Sequence, residues 1–169
     1  MNHWLVKSEP EHFSIDHLAQ APGARTGWDG VRNYQARNTL RDLMAVGDRV
    51  LYYHSSCEET GIVGVCEVVL AGHPDPTAFQ AGHHHHDPDS DPANPTWFQV
   101  EIQLVQKFPR RVGLAELKGE AALDGMVLLR RGSRLSVQPV SPERYAVVLG
   151  MAGVSPPQRE SDSTPQRNS

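Results

Sequence analysis

The residue types best suited to chemistry crowd into one stretch, Trp28-Asp29-Gly30-Val31-Arg32-Asn33-Tyr34-Gln35-Ala36-Arg37-Asn38. Its aromatics could stack on a planar ring, its amides could read the edge of a base, and Arg32 and Arg37 could grip phosphate. Asp29-Gly30 is a turn dipeptide, and Ala36, Leu40, Leu43 and Met44 then recur at the spacing of one helical face. With Asn33 as the cap, the free N–H groups of the first helical turn point back at the Trp28 loop, where an anion could sit. The same residues equally suit a plain helix start, with Arg and Asn solvated and Trp28 in the core.

Three further groups could contribute. Ser8 and Glu9 end a short β-prone run, His3-Trp4-Leu5-Val6-Lys7, and Pro10 restrains Glu9 at that strand end. In Arg49 to Ser55, alternation puts Val50, Tyr52 and His54 on one side and Leu51, Tyr53 and Ser55 on the other, so that His54 is a polar tip beyond apolar residues. Ser136 and Gln138 alternate with Leu135 and Val137 after an arginine-rich turn that includes Arg134, and they could line a pocket floor until Pro139 stops the strand. Each group also has a plain alternative: a turn, a structural histidine and a wet edge strand.

The elements that must position these residues are short. Ser14 reads as the cap of a helix carrying Ile15 and Leu18, and Gly61 to Leu70 as a strand buried on both sides or curled in a barrel. Phe98, Val100, Ile102 and Leu104 alternate inward, with Gln99, Glu101 and Gln103 outward, before Phe108-Pro109 leaves the strand. Leu114 to Gly119 and Pro142 to Leu149 read as helices, the second with Ala146 and Leu149 among its apolar positions. Residues 155–169 are a disordered tail by composition.

Length and composition narrow the classes. A chain of 169 residues, 38% hydrophobic, is sized for one domain. No apolar run approaches the roughly 20 residues that cross a bilayer, and no leader pattern opens the chain, so a soluble cytoplasmic monomer is expected, or a nuclear one in a eukaryote. Cys57 and Cys66 are expected as free thiols. The net charge of −4 is local: His73 to Pro95 holds Asp75, Asp87, Asp89 and Asp91 and no Lys or Arg, which leaves the remainder neutral. Without a basic excess, binding to nucleic acid must lean on a pocket rather than on phosphate contacts alone. Within the 81–95 loop, His83-His84-His85-His86 and the nearby aspartates lack the fixed spacing of a metal site. They are expected to be a flexible insertion with adventitious nickel or zinc affinity, and no cofactor is expected.

Taken in order, Trp4-Leu5-Val6-Lys7-Ser8-Glu9-Pro10, the Trp28 to Asn38 stretch, Tyr53-His54-Ser55, Ile62-Val63-Gly64, Pro74-Asp75-Pro76 and Arg134-Leu135-Ser136-Val137-Gln138-Pro139-Val140 resemble the motifs of the EVE domain family, which includes the thymocyte nuclear protein family. The resemblance covers residues 2–150, with the 81–95 loop and the tail as departures that touch no pocket motif. It implies an α+β, PUA-like fold: a curled, mostly antiparallel β-barrel with short helices packed around it. It also implies a non-catalytic module that flips out a modified base, foremost 5-methylcytosine or 5-hydroxymethylcytosine in DNA rather than RNA. The family's pocket motifs fall on Lys7, Ser8, Glu9, Trp28, Arg32, Asn33, Tyr34, Gln35, Arg37, His54, Ser55, Ser136 and Gln138. The roles that follow are Trp28 or Tyr34 as stacking platform; Asn33, Glu9, Ser8 and Gln138 as base-edge readers; and Arg32, Arg37 and Arg134 as phosphate grips. Three alternatives remain: a binder of modified RNA, a nucleotide-directed hydrolase using Glu9 and His54, and a metal-buffering role for the histidine loop. Against the hydrolase, the chain has no Gly-x-Ser-x-Gly elbow, no glycine-rich phosphate loop and no zinc-ligand spacing.

Overall fold

A computed structural model describes residues 1–132 and 134–155. Ser133 and nearly all of the expected tail, residues 156–169, lie outside the described residues. Six strands, β1 (His3–Ser8), β2 (Arg25–Gly27), β3 (Arg49–His54), β4 (Gly61–Pro74), β5 (Phe98–Gly113) and β6 (Val137–Val140), form one sheet in the order β2-β5-β4-β3-β1-β6. The β1–β3 pair is parallel and the other pairs are antiparallel.

The expected barrel does not close. β2 and β6 are the edges of an open sheet and do not pair with each other. Closure requires every edge to find a partner, and these are the shortest strands of the sheet. Bulges between β4 and β5 curl the sheet without joining its ends. Pro139 does not stop β6 as expected, because in an edge strand its missing N–H need face no partner. β5 likewise runs on through Pro109 to Gly113.

Strand alternation sorts the core into two layers, one on each face. Trp4, Val6, Val50, Tyr52, Cys66, Val100 and Ile102 pack with Ile15 and Leu18 of α2 (Ile15–Gln20), with Ala36 of α3 (Tyr34–Asn38) and with Leu40 and Met44 beyond it. Leu5, Leu51, Tyr53, Val65 and Val112 meet Leu117 of α4 (Leu114–Lys118) and Tyr145, Val148 and Leu149 of α5 (Pro142–Met151). The β3 alternation therefore holds as read, and Ser14 caps α2 by accepting the His17 N–H. Ala146 is exposed, since the buried stripe of α5 runs through Tyr145 and Val148 instead.

Three other local expectations change. After α3 the chain widens into a π-helical turn, Thr39–Leu43, which carries Leu43 out to solvent while Leu40 and Met44 stay buried. Gln99 is buried rather than outward, bonded to His73 Nε2 (3.0 Å). The 81–95 loop is built from successive turns and held down: Asp87 accepts from Trp97 Nε1 (2.7 Å), and Asp91 and Asn94 form a β-bridge. Cys57 and Cys66 are free. Among the described residues no helix is long and apolar enough to cross a membrane.

Candidate nucleic-acid interface

The gap between the sheet edges is where the site forms. A cavity of about 550 Å³ opens there, lined by the end of β1 (Lys7, Ser8, Glu9), by β2 and the loop after it (Thr26 to Arg32), and by Ser136 just before β6. His12 and Phe13, from the short helix α1 (Pro10–Phe13) that follows Glu9, and His84 and His85 complete the wall. This volume is typical of a small-ligand site. The two stretches singled out from the sequence, around Trp28 and around Ser136, thus meet across one space.

Trp28 is only 8% exposed, and its ring stands edge-on to Tyr52 with centroids 5.4 Å apart. A buried indole bordering a cavity offers a fixed platform whose conformational entropy is already lost. Lys7 lines the cavity; among the described residues no carboxylate forms an ion pair with it, and burial lowers its pKa. Ser8 Oγ donates to the Phe13 carbonyl (2.7 Å), which Tyr52 also reaches (2.7 Å), so Ser8 enters the site as an acceptor. Glu9 is half exposed and pairs with His12 (3.0 Å).

The Trp28 loop is held by a charge that local sequence does not reveal. Asp75, fully buried, accepts the Gly30 N–H (2.9 Å), Arg32 Nη1 (3.0 Å) and the Thr77 backbone and hydroxyl (2.8 and 2.6 Å). Burial pushes the Asp75 carboxyl up, but the bonds from Thr77, Gly30 and Arg32 together outweigh it and hold the pKa below the ordinary value. Arg32 also donates to the His85 carbonyl (2.5 Å) and lies over the Trp97 ring. It is a structural clamp here, its guanidinium occupied within the protein rather than left free for phosphate.

Other expected site residues lie elsewhere. Asn33 caps α3 through Ala36 N–H (3.0 Å) and is exposed beyond the cavity lining, as is Gln35. Tyr34 is 61% exposed and stacks on Trp97 (5.1 Å), with Arg37 across its ring; Arg37 also donates to the Thr96 carbonyl (2.8 Å). Together with Trp97 they form an aromatic–cationic cluster outside the cavity lining. Arg134 is exposed, two residues from Ser136. Gln138 is 1% exposed on the opposite face, paired in register with Leu5, and donates to the Leu135 carbonyl (2.8 Å). It supports the turn that presents Ser136 rather than touching the cavity.

His54 lines a different cleft of about 700 Å³ together with Asp16, Cys57 and Lys107, and its Nε2 accepts the Ile15 N–H (3.1 Å). Burial lowers its pKa, the neighbouring Asp16 notwithstanding. Ser55 bonds through its backbone to the Ser8 carbonyl (2.9 Å) and does not line the cavity. Glu9 and His54 are therefore not brought into one site, and the hydrolase alternative loses its geometry. The largest departure is the histidine loop, which was expected to touch no pocket motif but packs against Gly30 and Arg32. Burial lowers the His85 pKa, against Asp29 and with help from His84, Arg32 and His83.

Gly30 makes that contact tight. Its φ is +75°, and a Cβ there would lie 2.2 Å from His85 Cε1. Gly30→Ala is expected to cost about 1–2 kcal/mol for the left-handed backbone alone, with further loss from displacing the imidazole. Thermal unfolding checks this: an unchanged midpoint would mean that the loop does not rest on Gly30.

An EVE domain model matches residues 2–151. The chain belongs to the EVE domain family. Thymocyte nuclear protein 1 of Homo sapiens is 42% identical over 172 residues, 92% of this chain and 76% of that protein. Among solved structures, a Pseudomonas putida protein is 46% identical, with a TM-score of 0.84 over 89% of this chain and 99% of that one. Human THYN1 protein, solved in complex with 5-methylcytosine-containing DNA, is 42% identical, with a TM-score of 0.86 over 92% of this chain and all of its own. The EVE fold is accordingly a mixed, open six-stranded sheet with short helices, and the cavity lies at its unclosed seam.

Proposed function

We propose that this EVE domain binds DNA carrying a C5-modified cytosine, takes the flipped base into the Trp28 cavity and catalyses no reaction on it. The observation that carries this is the cavity itself: a buried indole, Ser8, Glu9, Ser136 and Lys7, which has no carboxylate partner among the described residues, line one space. The human relative solved with 5-methylcytosine-containing DNA supports the same ligand class. Trp28 is the stacking platform; Ser8, Glu9 and Ser136 read the base edge; Lys7, rather than the clamped Arg32, meets the phosphate or an acceptor on the base. Tyr34 and Arg37, outside the cavity lining, contact the strand beyond the flipped nucleotide.

Energetics limit the selectivity. Flipping costs a few kcal/mol and stacking returns about 1–3 kcal/mol per base. A methyl adds only about 0.8 kcal/mol, roughly a fourfold preference, so modified cytosine is expected to win modestly. Titration of duplex and single-stranded oligonucleotides with unmodified, methylated and hydroxymethylated cytosine, alongside modified RNA, tests this. Tighter binding of the modified DNA is the expected result. Equal affinity for every ligand would remove base readout, and preference for the RNA would move the partner class.

A further inference from the structure

The geometry points to a divalent transition-metal site, of the zinc(II) class, formed by His83, His84 and His85 at the mouth of the Trp28 cavity. The ligand atoms of these three imidazoles all lie within 4.8 Å of one another. Ring centroids are 4.6 Å apart for His83–His84, 3.8 Å for His84–His85 and 5.2 Å for His83–His85. Consecutive residues converge because His86 N–H closes a turn on the His83 carbonyl (2.9 Å).

A histidine run that merely dangled would have no preferred member, but this one is held in place. Asp87 N–H bonds to the Ala78 carbonyl (2.9 Å), Asp87 accepts from Trp97 Nε1, and Arg32 holds the His85 carbonyl. One imidazole nitrogen of the cluster is left unsatisfied by the protein. His85 Nδ1 is buried without a hydrogen-bond partner among the described residues, and the nearest carboxylate, Asp29 Oδ2, stands 3.9 Å away. His83 Nδ1 accepts the neighbouring His85 N–H (3.0 Å), which orients that ring within the cluster.

The charge also suits a cation. Asp75 neutralises Arg32, which leaves the Asp29 carboxylate, 3.9 Å from His85 Nδ1, as a candidate fourth ligand. Imidazoles with one carboxylate form a donor set for zinc, nickel or copper rather than magnesium or calcium. Because His84 and His85 also line the cavity, a metal here sits beside whatever enters it.

The fourth histidine provides the test. His86 lies outside the cluster, whereas in a flexible tag all four would be equivalent. The full chain, stripped of metal by chelation, is titrated with Zn²⁺ by calorimetry, with circular dichroism verifying the fold of each variant. One Zn²⁺ per chain is expected, with affinity reduced at least about tenfold by each of His83→Ala, His84→Ala and His85→Ala, a scale set by the loss of even an outer-shell partner, and by less than about twofold by His86→Ala. Equal weakening by all four substitutions, or no Zn²⁺ uptake by the wild-type chain, would overturn the site. DNA affinity does not enter this readout, so the result stands apart from the proposed ligand.

Discussion

Asp75→Ala is expected to destabilise the protein by about 3 kcal/mol, at the lower end of what breaking a buried ion pair costs because Arg32 is a quarter exposed. The substitution removes the shared acceptor of Gly30, Arg32 and Thr77 and leaves the Gly30 N–H and one Arg32 donor without that partner in a partly buried loop. For a chain of this length, about 3 kcal/mol corresponds to a melting midpoint lower by roughly 6–12 °C. The same carboxylate sets an acid limit. Its folded pKa is held below the usual value, so its contribution is fully present above the unfolded pKa of about 3.9 and is lost as pH falls through the lower folded value. Wild-type stability should therefore decline on acidification below about pH 4, and the alanine variant should show a shallower decline there. A midpoint within about 2 °C of wild type would show that the Asp75 cluster does not hold the loop.

Trp28→Ala is expected to weaken binding of methylcytosine DNA by about 5- to 150-fold, the loss of about 1–3 kcal/mol of base stacking. The substitution also empties a buried position against Tyr52, and truncating a core tryptophan costs about 3–5 kcal/mol of stability. Two effects on one residue must be separated. Trp28→Phe keeps an aromatic face in the cavity while losing part of the packing, so it should be less stable than wild type yet retain most of the affinity. Binding is measured well below each variant's melting midpoint, with the folded fraction followed by circular dichroism. Unchanged affinity in a folded Trp28→Ala protein would exclude the indole as platform and turn attention to Tyr34.

These expectations depend on features of different legibility. The alternation in β3 assigns Val50 and Tyr52 to one layer and Leu51 and Tyr53 to the other, because side-chain direction in a strand follows from backbone geometry alone. The Ser14 and Asn33 caps were readable for the same local reason. The helical face broke at Leu43, where a wider turn changes the period, and no residue in that stretch announces a π turn. Its polarity predicts an outward Gln99, yet a bond to His73 holds it in a buried position. The low complexity of the histidine run predicts flexibility and gives no sign that His84 and His85 form cavity wall. The available signal was the tryptophan just beyond the loop, whose indole N–H needs a partner and finds Asp87.

The sequence by itself determined the family, the two faces of β3 and the helix caps. These follow from periods and motifs that act within a few residues. Only the tertiary structure decided which charges are free: Arg32 is spent on Asp75, while Lys7 is left without a carboxylate partner among the described residues. It also separated His54 from Glu9, left the sheet open at the seam where the cavity lies, and folded the histidine loop onto Gly30. The reason is range. A buried carboxylate must be satisfied by whatever donors the fold brings within about 3 Å, and residues 43 and 45 positions away in the chain supply them here.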